Sequence, residues 1–303
     1  WDFVNMKKYF AIDTPHGAMP RRRPVAPVLT SRGCPARCVF CASHRVHGRT
    51  FRGHSPERVL KEISHLVGRY GAREIQFEDD NLTYDRERAL GIFRGIQHAG
   101  LDITWTAPNG LAVWRLDEEL MVEMKRSGCY LVNLAIESGV GRVLKEVIHK
   151  PLNLEKVRQI VATLRRLDIG VSGFFVVGFP GETREEIKQT FRYVEELKLD
   201  NVNYSIAIPL PGTELYRICE KKGLLSRDVG FARYRSRIAA TVSDQWTPKE
   251  LERMVSWASL RFRVRLLLRD PVEFFSGTVM RFVLKPRYFL AYTKLLFDRS
   301  LRW

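Results

Sequence analysis

Short apolar, β-branched runs alternate with amphipathic segments six times along this chain, and that alternation restricts the fold more than any other feature. The predicted strands cover Val28–Ser31, Glu74–Phe77, Ile103–Thr106, Leu131–Ile136, Val171–Gly178 and Val202–Ile208. The segments between them carry helix start and stop signals. Ser55 followed by Pro56 predicts an N-cap with proline in the first turn, and Gly71 ends that helix after about Tyr70. Thr183 with Glu186, and Thr247 with Glu250, have the spacing of reciprocal capping pairs. Asn153 heads a helix over Leu154–Leu167, with Gly170 read as its stop. Strand and helix in strict alternation make right-handed parallel βαβ units. With no seventh or eighth unit visible, the expected fold class is α/β: a partial (β/α)6 TIM-type barrel with a helical C-terminal extension.

The boundaries expected are a linker over 1–25 leading in from an upstream domain, the barrel over 26–215, and a helical, basic and aromatic extension over 216–303. The chain opens on Trp1, so it is read as a piece of something longer. Apolar residues make up 45% and charged residues 28%, which supports a real core and excludes wholesale disorder. Arg or Lys interrupts every apolar stretch short of the roughly 20 residues that a membrane span needs. No secretory signal is visible at the start, and the odd, clustered cysteines suit a reducing cytoplasm, the expected location. Lys and Arg exceed Asp and Glu by 16. That excess favours anionic partners (nucleic acid, acidic lipid, a phosphorylated substrate or an acidic redox protein) without choosing among them.

Three of the five cysteines fall in one stretch, Cys34-Pro35-Ala36-Arg37-Cys38-Val39-Phe40-Cys41, directly after the first strand. An odd, clustered set is a poor disulfide framework and a good metal loop. Three thiolates can hold three irons of a cubane, whereas a closed cluster normally uses four cysteines. One iron would then stay open to a small molecule. Two other readings fit the loop: a Cys3His zinc site completed by His44, and a cluster used only for electron transfer. Cys129 and Cys219 read as small buried hydrophobes.

Further polar groups fall where strands end, at the face where parallel barrels bind ligands. Glu78-Asp79-Asp80-Asn81 follows the second strand, and carboxylates there can accept from an ammonium group. Glu137-Ser138-Gly139, with Arg142 close behind, follows the fourth and can meet sugar hydroxyls and a carboxylate. Gly173–Glu182 spans the fifth strand and its exit, where Gly178 allows close backbone approach. Ile208-Pro209-Leu210-Pro211-Gly212-Thr213 closes the sixth. Tyr84, Trp105 and Asn109 are placed near the mouth.

In order and placement these motifs resemble the radical S-adenosylmethionine (SAM) superfamily over nearly all of residues 26–215. The resemblance implies a [4Fe-4S] cluster on Cys34, Cys38 and Cys41, with the amino and carboxylate groups of SAM on the open iron. It places Phe40 by the adenine and Glu78, Asp79 and Asp80 by the amino group, although the Asp-Asp form departs from the family's common Gly-Gly-Glu. It gives Glu137 and Ser138 to the ribose, Arg142 in some members to the methionine carboxylate, and the strand ending at Gly178 to the adenine, and it counts Ile208, in a motif that recurs at the end of the sixth strand, among the cofactor-binding residues. It also implies cleavage of SAM to methionine and a 5'-deoxyadenosyl radical that removes hydrogen from an unactivated carbon.

The lead-in Trp1–Phe10, Gly48-Arg49, Ser55-Pro56-Glu57 and the helical tail are similar to cobalamin-binding radical SAM proteins. That implies cobalamin bound by a domain not in this chain, and methyl transfer or cyclisation. A methylthiotransferase is the alternative enzyme, although the tail does not read as its small β-barrel. A membrane-docked iron–sulfur electron carrier is the alternative of another class. It is motivated by Arg261, Arg263, Arg265, Arg269, Arg281, Lys285 and Arg287 interleaved with Phe262, Phe274, Phe275, Phe282 and Tyr288. The expected partners are a reductant such as a flavodoxin or ferredoxin, a small-molecule or lipid-like substrate, and peripheral contact of 257–303 with the inner membrane face. Nucleic acid ranks behind these.

Overall fold

A computed structural model describes residues 3–12, 20–226 and 237–271. Six parallel strands form one sheet in sequential order: β1 (Val25–Val28), β4 (Glu74–Phe77), β5 (Thr104–Leu111), β6 (Cys129–Glu137), β7 (Gly170–Val177) and β8 (Asn201–Ile206). Helices α3 (Pro56–Tyr70), α4 (Arg86–His98), α5 (Glu118–Arg126), α6 (Leu154–Arg166) and α7 (Arg184–Leu197) provide the crossovers. The remaining elements among the described residues are α1 (Met6–Ile12), α2 (Ser43–Val46), α8 (Glu214–Lys221), α9 (Pro248–Arg269), a 3-10 turn at Val113–Arg115, a π-helical turn at Val143–Ile148 and a two-stranded ladder of β2 (Ser31–Arg32) with β3 (Arg52–Gly53). The six-unit partial barrel read from the periodicity is the observed fold.

The caps act as their residue types dictate. The Ser55 side chain accepts from Arg58 N, and Gly71 takes the left-handed conformation that ends α3. Val59, Ile63 and Leu66 are the buried stripe of that helix. Thr183 and Glu186 form the reciprocal capping box of α7, and Thr247 and Glu250 exchange the same bonds at α9. β4 is buried at every position, as expected of a strand covered on both faces.

Four readings are corrected. The first sheet strand is Val25–Val28 rather than Val28–Ser31: β1 is an edge strand, which tolerates Pro27, and the chain then leaves the sheet at Ser31–Arg32 to pair with β3. The third strand runs on to Leu111 through a register shift that takes up Pro108. Gly170 does not stop α6; Asp168 turns at φ +52° and Gly170 already opens β7. Trp105 is not at the mouth. It is fully buried, stacked on Phe93 at 5.0 Å and edge-on to Phe77 at 5.3 Å, with Nε1 donating to Ser127 Oγ.

A buried polar network lies at the opposite end of the strands from the cysteine loop. Glu74 accepts from the Arg21 and Arg22 backbone amides on one oxygen and from Tyr130 Oη at 2.7 Å on the other. The segment before β1 is thereby fixed to the start of β4 and β6.

The chain divides into two compact units, 1–256 and 257–303. Within the second, the described part of α9 exposes Trp257, Leu260, Val264 and Leu268. Residues 272–303, which carry much of the basic aromatic tail, lie outside the described residues. No helix among the described residues is long and apolar enough to cross a membrane.

Candidate active site

The cysteine loop leaves β2 through Gly33, whose φ of +86° favours glycine and where a Cβ would sit 2.2 Å from Thr50 O. Cys34, Cys38 and Cys41 are all free and half-buried. Burial pushes the Cys38 thiol up to about 11, with Lys150 opposing and Glu137, Cys41 and Cys34 adding to the rise. Burial also raises Cys41, with Cys34 among the lesser causes. Soft sulfurs in a partly buried loop are a donor set that suits a cation, which would keep them as thiolates. Among the described residues no three His, Cys, Asp or Glu side chains converge on a single metal ion. His44 also turns its Nδ1 to the Cys41 carbonyl oxygen, 2.9 Å away.

The loop is held from three sides. Beyond β4, Asp79 accepts from Thr30 N and Thr30 Oγ1 at 2.8 and 2.6 Å and from Ser31 Oγ. Asp80 pairs with His47 Nδ1 at 2.8 Å and accepts from Gly33 N at 3.2 Å. Asn81 Nδ2 lies 3.9 Å from Cys34 Sγ. In the middle of the loop, Val39 N donates to Ile148 O and Val39 O accepts from Leu215 N. On the third side Phe40 packs on Phe179 of the β7 exit, with ring centroids 5.7 Å apart.

These contacts revise the acidic motif. Asp79 is buried, with both oxygens occupied by the chain's own donors, so it secures the loop instead of facing a ligand. Asp80 bridges the two flanks of the loop. Glu78 is turned to β5, where Asn109 Nδ2 donates to its backbone oxygen and its carboxylate at 2.8 and 3.2 Å. Tyr84 lies tilted against Phe51, with ring centroids 5.1 Å apart, and Arg115 sits over its ring at 4.6 Å.

At the end of β6, Glu137 takes φ +72°, an uncommon and strained conformation for a non-glycine residue, at a register shift against β7. Its buried carboxylate meets Lys150 Nζ at 2.7 Å, and that ammonium also lies 5.3 Å from the centre of the Trp114 ring. Ser138 is fully buried against Thr190 of α7 and accepts from Val140 N, so it shapes the turn rather than offering a hydroxyl. Arg142 is bidentate to Glu186 and reaches Gly181 O, so its charge is already matched. Gly178 has φ +83°, and the space where its Cβ would lie is taken by Leu251, 2.4 Å away. The close approach there is made by a leucine of α9. Ile208 is half-buried just past β8.

Lys150 and Trp114 were not read as site residues. Lys150 precedes Pro151, which marks it as non-helical, but nothing local announces its burial. Glu182 was also missed. It is fully buried, its carboxyl is pushed up to about 8 by burial, and it accepts from Gly178 N and Phe179 N at 2.6 and 3.1 Å.

The family model described as the Radical SAM superfamily matches residues 28–194. The chain is 37% identical over 273 residues to cytidylyl-2-hydroxyethylphosphonate methyltransferase of Streptomyces wedmorensis, covering 88% of this chain and 51% of that protein. It is 34% identical over 283 residues to an uncharacterized methyltransferase of Pyrococcus horikoshii, covering 93% of this chain and 59% of that one. The chain thus spans between about half and three-fifths of the length of these curated relatives. The solved radical SAM methyltransferase TsrM from Kitasatospora setae, with cobalamin and a [4Fe-4S] cluster bound, superposes with a TM-score of 0.64 at 19% identity, over 83% of this chain and 48% of that one. That likeness bears on the fold. The motif order, the parallel barrel and the matched family model agree: the chain belongs to the Radical SAM superfamily.

Proposed function

We propose that this chain is the catalytic barrel of a radical SAM enzyme that works with cobalamin, bound by a domain other than this barrel, to transfer a methyl group or close a ring at an unactivated carbon. One observation carries the reading. Three free cysteines sit in a single loop at the C-terminal end of a parallel sheet, pinned from three sides, beside a buried Glu137–Lys150 pair. A [4Fe-4S] cluster on Cys34, Cys38 and Cys41 would supply the one electron that cleaves SAM.

The chain's own residues would do the rest. Glu137 is held in a strained turn, oriented by Lys150, to meet the ribose hydroxyls or the amino acid end of SAM. Phe40 and Phe179 offer aromatic surface for the adenine, and the contacts that hold the loop would orient the ligand sulfurs. The methyl-transfer part of the proposal is supported by the named activity of the Streptomyces relative. A reductant of the flavodoxin or ferredoxin type and a small-molecule substrate complete it.

The test is electron paramagnetic resonance of the anaerobically reconstituted, reduced chain with and without SAM, followed by assay for 5'-deoxyadenosine and methylated product. A [4Fe-4S] signal that changes on adding SAM supports the reading. A signal indifferent to SAM makes the chain an electron carrier, and bound zinc without a cluster overturns the reading.

A further inference from the structure

Asn81 follows the two aspartates that hold the cysteine loop, but its side chain is used differently. Asp79 and Asp80 bind the flanks of the loop. Asn81 reaches a sulfur: its Nδ2 is 3.9 Å from Cys34 Sγ, a long contact even for this large acceptor. The residue is 2% exposed, and its Oδ1 has no hydrogen-bond partner among the described residues. A buried amide with an unmatched acceptor is uncommon and points to a purpose other than packing. The sulfur explains the orientation. A metal-bound thiolate has lone pairs and no proton, so the N–H side of the amide suits it and the carbonyl oxygen would be repelled.

We propose that Asn81 is a positioning residue for the cluster, donating from Nδ2 to the Cys34 thiolate and thereby raising the cluster's reduction potential. Hydrogen bonds to cluster sulfurs, together with burial and net charge, set that potential. Reduction from the 2+ to the 1+ state adds one negative charge, which the N–H dipole stabilises. The electron comes from the external reductant, and no covalent bond forms or breaks. The inference rests on the reading that Cys34, Cys38 and Cys41 hold a [4Fe-4S] cluster.

The experiment is a mediated redox titration of the anaerobically reconstituted chain without SAM, followed by electron paramagnetic resonance. Wild type is compared with Asn81→Leu and Asn81→Asp. Loss of the donor in Asn81→Leu should lower the reduced-to-oxidised ratio at fixed potential about tenfold, which is about 59 mV for a one-electron couple. Asn81→Asp keeps the shape, removes the N–H and adds a carboxylate, so its midpoint should fall at least as far. Either variant suffices if the other fails to retain iron. An unshifted midpoint in a variant with full iron content overturns the inference. So does an unshifted midpoint combined with loss of the SAM-induced change in the signal, which would make Asn81 a SAM contact instead. If wild type assembles no cluster, the proposed function itself falls. Wild type therefore tests the reading, and the variants test Asn81.

Discussion

Replacing Lys150 by methionine should be among the most damaging single changes in this barrel that touches no cysteine. The side chains of Lys150 and Glu137 are 3% and 8% exposed, and their charged atoms are 2.7 Å apart. Removing one partner leaves the other charge buried and uncompensated, which costs about 3–5 kcal/mol. Loss of the cation–π contact with Trp114 adds roughly 0.5–2 kcal/mol. Domains of this kind are stable by only about 5–15 kcal/mol, so the variant should lose a large part of its stability. A pair exchanged for neutral groups of similar size is often close to neutral. The double variant Glu137→Gln/Lys150→Met should therefore regain most of the loss, with a coupling energy of about 3 kcal/mol in the double-mutant cycle. Urea unfolding of the cluster-free chain, followed by circular dichroism, measures all four corners. A loss below about 1 kcal/mol in Lys150→Met, or strict additivity in the double variant, would refute the claim that the pair is a coupled buried unit. Under the proposed function the double variant should nevertheless bind SAM poorly, because Glu137 is the residue assigned there to SAM.

Other consequences follow from the same geometry. Cys34→Ala, Cys38→Ala and Cys41→Ala should each abolish the cluster absorbance and SAM cleavage, and normal 5'-deoxyadenosine formation in any one of them would remove that residue as a ligand. Gly33→Ala places a methyl group 2.2 Å from Thr50 O at φ +86°; iron content after reconstitution should fall sharply, and full loading would show that the turn is not needed. Glu182 is protonated more tightly in the folded state, about 8 against an ordinary 4.5. Its contribution is therefore fully present below about pH 4.5 and is lost as pH rises through 8. Glu182→Gln should raise the melting temperature at pH 9 relative to wild type and change it little near pH 5, and an equal shift at both pH values would contradict this assignment. Tyr130→Phe removes the hydrogen bond that Glu74 Oε1 accepts from Tyr130 Oη and should cost about 1–3 kcal/mol in thermal or urea unfolding; a neutral result would mean that solvent replaces the hydroxyl.

The sequence by itself determined the features that depend on near neighbours. Alternating periods identified six parallel strands, because a buried strand and an amphipathic helix each write their period into consecutive residues. Ser55, Asn153, Thr183 and Thr247 were legible as caps because a cap acts within three residues of itself. The three clustered cysteines were legible because they fall within eight consecutive residues of one loop. What each polar group at the strand ends does was decided only by tertiary structure. Asp79 is withdrawn from the site by donors on Thr30, 49 residues away. Arg142 is claimed by Glu186, 44 residues away, and the space at Gly178 by Leu251. Lys150 gains its role from a carboxylate 13 residues earlier that sits in a left-handed turn. A charge or hydroxyl is interchangeable in sequence with others of its type. Its function depends on which donors and acceptors the folded chain brings within about 3 Å, because burial makes every unmatched polar group costly and so forces each into a specific pairing.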